Sequence, residues 1–294
     1  MDNHPQAFLR TAGAGLAASL PPQAWFGVSA VFHYLGPAFA VLLFAHVGVL
    51  GVAWLRIATA ALVFAPLTRP WRGFARADSR TRLLLITFGL CLAVMNCAFY
   101  LALDRLPLSL VAAIEFVGTI GVALAGLRSL RNLAALVIAV SGTFMLIDVR
   151  WLADPGGLFW AFLNGALFVG YVVLGHRISR TAAGGIQGLG VAMAVAALAA
   201  LPVGIGQALP AFASPPLLAA AAGVGICASV VPYVCDQLAM ARLPRASFAL
   251  MLSLLPLTAT LIGIVVLRQV PSLADACGIA LVVAGVAMHK PPPE

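Results

Sequence analysis

The chain has 294 residues, of which 63% are hydrophobic and only 9% are charged, and its formal net charge is +8. Soluble domains are closer to 25% charged, so this composition excludes a water-soluble globule and indicates a lipid bilayer as the solvent. The positive charge does not indicate a nucleic-acid partner, because the basic residues lie in short loops between apolar runs. A Walker-type ATPase is excluded as well, since its phosphate loop needs a lysine and the only lysine is Lys290.

All five cysteines lie within apolar runs, and no two of them have a spacing typical of a metal site. They are Cys91, Cys97, Cys227, Cys235 and Cys277. Buried cysteine behaves as a small hydrophobic residue. We therefore expect free thiols, with no disulfide framework, no bound metal and no cofactor.

Ten apolar segments approach the length of about 20 residues that a membrane-spanning helix needs. They are residues 24–44, 47–67, 82–103, 107–126, 130–148, 156–176, 184–203, 217–239, 246–267 and 271–289. The longest connection, about 68–81, is too short for a separate domain. We therefore predict one all-α integral membrane unit, with short tails at 1–23 and 290–294.

The bias of lysine and arginine in short loops predicts the orientation of the spans, because cytoplasmic loops carry more of them. With the N-terminus inside, thirteen lie on the inner side: Arg10, Arg69, Arg72, Arg76, Arg80, Arg82, Arg128, Arg131, Arg177, Arg180, Arg242, Arg245 and Lys290. Three lie outside, Arg105, Arg150 and Arg268, and Arg56 lies within a span. Both termini are therefore predicted to be cytoplasmic.

An Arg-Leu-Pro turn occurs twice, each time before an apolar helix. Residues 101–107 match residues 238–244 at five of seven positions, at an offset of 137. Because each half has five spans, the first copy faces outward and the second faces inward. The halves 24–148 and 156–289 are thus predicted to be inverted repeats that meet around a central cavity at mid-membrane.

The residues around these turns resemble one family in their order and spacing. The matching pieces are Met95-Asn96, Phe99-Tyr100-Leu101-Ala102, Pro107, Glu115-Phe116, Gly118, Pro232-Tyr233, Arg242-Leu243-Pro244, Met251, Ser253-Leu254 and Pro256. They resemble the drug/metabolite transporter superfamily, EamA type, and look most like its bacterial amino-acid exporters of the threonine/homoserine and aromatic branches. The resemblance implies a ten-helix carrier of the bacterial inner membrane that exports amino acids, aromatic or other neutral ones, and related metabolites.

Two positions depart from the pattern of that family. Leu255 stands where an acidic residue often precedes the ninth-helix proline, and Leu267-Arg268-Gln269 stands where Leu-Gly-Glu is common. This chain lacks both carboxylates, so any coupling or gating that relies on them in the family is not expected here.

Two charged residues lie deep within predicted spans, where each needs a cavity or a partner. Glu115 lies about 12 Å into its helix, and Arg56 lies at a similar depth in its own. In one interpretation they line the substrate cavity and bind the ammonium and carboxylate groups of an amino acid. In the other they form an ion pair that pins two helices. If transport uses protons, Glu115 is the group expected to carry them.

Three further ionisable residues leave alternatives open. Asp236 is expected near the cytoplasmic interface, either as a solvated or paired end residue or as part of an inner gate. His33 and Tyr34 precede a Gly-Pro pair in the first span, where the histidine either contacts substrate or a proton, or only packs.

Polar residues at mid-membrane depth complete the predicted substrate site. Asn96 and Tyr100 lie one turn apart on one helix face, and Tyr233 and Ser253 belong to the equivalent hairpin of the second half. Polar side chains within a span usually face the bundle interior. We therefore predict that these four line the cavity, whereas Asn164 and Tyr171 either line it or pack.

The leading interpretation is a secondary transporter that works by alternating access. Its partners are a small-molecule substrate and the lipid bilayer, with protons as a further partner if transport is proton-coupled and not facilitated. The ten-helix body could be complete as a monomer. An intramembrane enzyme is the second interpretation, because Ser29 and His33 lie one turn apart, although no third catalytic member is evident. A non-transporting receptor is the third, and inverted duplication argues against it.

The charge bias predicts the side of the membrane on which each loop lies. A topology reporter fused after residue 152 should report the outside, and one fused after residue 180 should report the inside. If both fusions reported the same side, the inverted arrangement of ten spans would be wrong.

Overall fold

The computed structural model describes residues 21–124, 130–146, 154–181, 185–243, 248 and 255–288, and within them the regular structure is helical. In chain order the helices are α1 (Pro22–Leu43), α2 (Val49–Thr68), α3 (Pro70–Arg76), α4 (Ser79–Leu103), α5 (Leu108–Leu124), α6 (Leu130–Leu146), α7 (Pro155–Ser179), α8 (Gly185–Phe212), α9 (Pro215–Gly225), α10 (Val231–Met240), α11 (Leu255–Leu267) and α12 (Leu273–Ala287). A π-helical turn, Ile226–Val230, joins α9 to α10 into one continuous rod.

Six of the helical segments within the described residues are long and apolar enough to cross a membrane: α1, α2, α4, α7, α8 and the α9–α10 rod. Four shorter apolar helices, α5, α6, α11 and α12, lie at the remaining predicted spans. The prediction of an all-α membrane protein is therefore confirmed. The count of ten crossings stays a prediction, because the short helices lie at or below the lower end of the length that spans a bilayer.

Helix α3 was not predicted, because the connection 68–81 was judged only by its length, as too short for a separate domain. The helix begins with Pro70 in its first turn, where proline removes no helical hydrogen bond. Its exposed end is capped from α4: Arg82 donates through Nε to the carbonyl of Phe74 (3.0 Å) and through Nη2 to that of Ala75 (2.7 Å). A seven-residue helix is too short to be detected by a search for apolar segments of membrane-spanning length.

The helices pack in pairs that join the two halves of the chain. Helix α2 lies along α8, α6 lies along α12, α4 packs on α7, and α1 packs on α10. Glycines allow the closest approaches: a Cβ at Gly204 of α8 would lie 2.9 Å from the carbonyl oxygen of Leu50, and one at Gly142 of α6 would lie 2.5 Å from that of Gly278. Backbones at this separation leave no room for a side chain.

Gly204 and Gly206 of α8 provide a test position and a control position on the same helix. A methyl group at Gly204 would collide with Trp54 of α2, whereas Gly206 has nothing within 4 Å. We expect Gly204→Ala to destabilise the protein by roughly 1–3 kcal/mol through overpacking, and Gly206→Ala to have little effect. Thermal unfolding in detergent measures both. Equal shifts would contradict the close contact between α2 and α8.

Candidate functional site

Polar side chains from seven parts of the bundle meet in its buried interior. They are Ser29, His33 and Tyr34 of α1, Arg56 of α2, Asn96 and Tyr100 of α4, Glu115 of α5, Asn164 and Tyr171 of α7, Ser229 of the π turn, and Tyr233 and Asp236 of α10. Each is at most 7% exposed. We call this set the central polar cluster.

Glu115 is held by neutral groups from two other helices. Its carboxylate accepts hydrogen bonds from the hydroxyl of Tyr34 (3.1 Å) and from Nδ2 of Asn164 (3.2 Å), and Nε2 of His33 lies 3.9 Å from Oε2. Within the described residues, Glu115 and Arg56 do not form an ion pair. The alternative in which these two charges pin their helices by direct contact is therefore wrong.

Arg56 instead binds the irregular part of the α9–α10 rod. Its Nε donates to Oγ of Ser229 (2.7 Å), and its Nη2 donates to the carbonyl oxygen of Ala228 (2.7 Å). Because Pro232 has no N–H, the carbonyl four residues before it, that of Ala228, lacks its α-helical donor. The guanidinium supplies that donor, so Arg56 fastens α2 to the π turn.

The rest of the Arg56 guanidinium faces aromatic side chains. Its central carbon lies 5.3 Å from the ring centroid of Tyr100 and 6.0 Å from that of Tyr233, which are favourable distances for a cation and a π system. The hydroxyl of Tyr233 donates to Oδ1 of Asn96 (3.2 Å), whose Nδ2 donates to the carbonyl of Leu92 (2.7 Å). Within the described residues, Nη1 of Arg56 and the Tyr100 hydroxyl have no partner in hydrogen-bond geometry.

Asp236 is 2% exposed, so of the two alternatives for an end residue, the solvated one is wrong. It is instead a paired residue covered by α1 and α7: Oδ1 accepts from the hydroxyl of Ser29, and Oδ2 accepts from that of Tyr171 (2.7 Å). Ser29 is thus bonded to Asp236, while His33 lies beside Glu115. The serine–histidine pair considered for an enzyme is not formed.

A row of rings connects the Glu115 side of the cluster with the Asp236 side. Phe168 lies 5.7 Å from the ring of His33 and stacks on Tyr171 at 5.5 Å, and Tyr171 lies 5.4 Å from Tyr233. Sequence reasoning overlooked Phe168 as a site residue. Its helical spacing was a usable signal, because Asn164, Phe168 and Tyr171 lie at i, i+4 and i+7 on one face.

Ser229 was also overlooked, and the same spacing could have found it. With Tyr233 and Asp236 it forms a second i, i+4, i+7 series, on the α9–α10 rod. The cluster contains every residue predicted for the site except Ser253, which lies outside the described residues. Asn164 and Tyr171, left open between lining and packing, both donate to its carboxylates.

Comparison with known proteins assigns the fold to a family. A model of the EamA-like transporter family matches residues 155–289. Threonine/homoserine exporters RhtA from Escherichia coli (strain K12) and Salmonella typhimurium (strain LT2) are 32% and 31% identical to this chain, over 80% of it and 79% of their own length. The chain belongs to the EamA-like transporter family. A solved crystal structure also matches with a TM-score of 0.61 and 17% identity, over 90% of this chain and 95% of that one, which supports the fold alone.

Membership in the EamA-like family confirms the resemblance seen in the sequence. It also sets the enzyme alternative aside, because this is a family of transporters. The central polar cluster is therefore the buried polar interior of a membrane transporter.

The contacts of Arg56 predict how a substitution there changes the stability of this EamA-like protein. Arg56→Lys keeps the charge but lacks the planar fork that reaches Ser229 and Ala228 together, so we expect a loss of roughly 2–3 kcal/mol in unfolding free energy. Arg105→Lys is the matched control, because Arg105 pairs with Asp154 at 3.4 Å on the surface and is 45% exposed. Its effect should stay within about 0.5 kcal/mol. Similar losses in thermal unfolding would mean that Arg56 does not fasten the π turn.

Proposed function

We propose that this protein exports small neutral amino acids across the bacterial inner membrane, with threonine and homoserine as leading substrates, and that the central polar cluster binds their head group. The observation that carries the proposal is a buried guanidinium and a buried carboxyl group that do not contact each other. Arg56 and Glu115 are 3% and 2% exposed, and neutral groups hold both. The names of the 31–32% identical relatives support the substrate class.

The unsatisfied atoms of the cluster match the two ends of an amino acid. Nη1 of Arg56 and the Tyr100 hydroxyl are donors suited to a carboxylate, and Oδ1 of Asn164, beside Glu115, is an acceptor suited to an ammonium group. Within the described residues none of these three atoms has a partner in hydrogen-bond geometry, although the Arg56 guanidinium contacts the ring of Tyr100. A buried polar atom without a partner is costly, so a ligand that satisfies all three gains that free energy on binding.

The packing of the aromatic rings favours a substrate with a small side chain. Tyr171 lies against Phe88 and Phe168, and Tyr100 lies against Phe44 and Phe99. Rings that already contact one another offer little free surface to an aromatic substrate. We therefore expect aromatic amino acids to compete more weakly than threonine or homoserine.

Inverted repeats of five spans each, with both termini in the cytoplasm, form part of this proposal. Asn96 and Tyr233 are equivalent positions at the offset of 137, and they hydrogen-bond to each other. A residue contacts its own counterpart only close to a symmetry axis. The helix contacts are also paired, since α4 on α7 corresponds to α1 on α10, and α5 on α7 corresponds to α1 on α11.

Alternating access follows from the same arrangement. The cluster lies between the two halves, and none of its side chains is more than 7% exposed. A solute therefore reaches it only when the halves move apart on one face. Protons are the proposed coupling ion, and Glu115 and Asp236 are the two buried carboxylates of the cluster that can carry them.

The test uses purified protein in liposomes, with threonine counterflow as the readout. We expect Glu115→Gln to weaken threonine binding by roughly 10- to 100-fold, because a charge-assisted contact to the ammonium group is lost. Asp104→Asn is the matched control, since Asp104 is exposed outside the cluster and should leave counterflow unchanged. Threonine blocked at its amino group should be a poor competitor for the wild type.

A second readout separates binding from coupling. If Glu115 carries the proton, uptake driven by an imposed pH gradient should be lost in Glu115→Gln, while exchange at saturating threonine remains. Gradient-driven uptake equal to that of the wild type would remove Glu115 from coupling. Unchanged threonine affinity in the variant would refute the proposed head-group site.

A further inference from the structure

A second polar site lies outside the central polar cluster, where α2 and α7 end and α4 and α8 begin, on the face that we predict to be cytoplasmic. A cavity of about 550 Å³ opens there beside the short helix α3. Its lining includes three arginines, Arg69, Arg72 and Arg76, together with Asp78. It shares no residue with the central polar cluster, and neither the family match nor the named relatives assign it a role.

The three arginines are not neutralised by the protein. All three are exposed, and within the described residues none of their guanidinium groups forms a hydrogen bond or an ion pair. The carboxylate of Asp78 accepts a hydrogen bond from Thr81, which holds the pKa of Asp78 below its usual range. Asp78 is thus ionised but not paired with an arginine, so three positive charges and one negative charge face the cavity.

The arginines are carried by a segment that is fixed in place. Arg72 and Arg76 lie at i and i+4, on one face of α3. Arg82 holds the end of this helix through the carbonyls of Phe74 and Ala75, and its guanidinium lies 5.7 Å from the ring centroid of Phe74. Because Arg82 holds the end of α3 in place, Arg72 and Arg76 are fixed on one face of that helix before any ligand binds.

We propose that this cavity binds the phosphate of an anionic phospholipid head group. A planar guanidinium matches the geometry of phosphate, and basic cavities at the cytoplasmic ends of spans attract anionic lipid. A head group that carries a phosphodiester and glycerol suits a cavity of about 550 Å³ better than a lone phosphate ion does. Trp71 and Leu67, beside the arginines, are 60% and 61% exposed and offer apolar surface to the acyl chains.

The experiment adds lipid to the full-length protein in detergent and follows both thermal unfolding and lipid retention in native mass spectrometry. Phosphatidylglycerol should raise the unfolding temperature and be retained, whereas phosphatidylcholine should do neither. In the double variant Arg72→Gln/Arg76→Gln, phosphatidylglycerol affinity should fall roughly 25-fold, or about fivefold for each arginine. These side chains are exposed, so the variant should unfold at the wild-type temperature without lipid.

Arg80→Gln is the matched control, because Arg80 lies on the same face but does not line the cavity. It should keep wild-type affinity, and a loss as large as that of the double variant would reduce the effect to general surface charge and overturn the site. A further arm replaces lipid by inorganic phosphate. Stabilisation by phosphate as strong as that by phosphatidylglycerol would overturn the lipid assignment, and the absence of any phosphatidylglycerol effect would overturn the proposal as a whole.

Discussion

The contact between Arg56 and the carbonyl of Ala228 is the interaction on which the interior of the bundle depends. Pro232 breaks the hydrogen-bond ladder of the α9–α10 rod, and the guanidinium of α2 restores a donor at that point. Since the proline removes a bond within one half of the chain, a charged group from the other half can replace it. Removing Arg56 would leave a carbonyl and Ser229 buried without their donor, which makes the arginine a structural residue of the bundle.

The carboxylates of the cluster are arranged so that their charge stays available. Glu115 and Asp236 each accept from one tyrosine, Tyr34 of α1 and Tyr171 of α7, and neither contacts Arg56 at ion-pair distance within the described residues. Neutral donors hold a carboxylate in place without cancelling its field. In the proposed function, a charged solute that enters between the helices meets complementary groups instead of a closed ion pair, at the cost of burying charge in the protein.

Much of the fold and part of the site could be predicted from the sequence, for different physical reasons. Span positions follow from hydropathy alone, and a charge such as Glu115 is conspicuous because hydrocarbon excludes it. The partners of such charges depend on helix rotation and crossing, which no local pattern encodes, so Arg56 was not expected to bind Ser229. The burial of Asp236 was missed because depth was counted along its own helix, whereas α1 and α7 cover it from the side.

The hydrogen bond between Asn96 and Tyr233 has a consequence for the energetics of the proposed transport cycle. In an inverted pair of repeats, the inward-open and outward-open forms exchange the roles of the two halves. In the proposed inverted repeats, a bond between counterparts at the axis is common to both forms, so it does not have to break and re-form during transport. The strength of this hydrogen bond sets how firmly the two halves are joined. The equilibrium between the inward-open and outward-open forms then depends on residues that differ between the halves, such as Glu115 and Asp236.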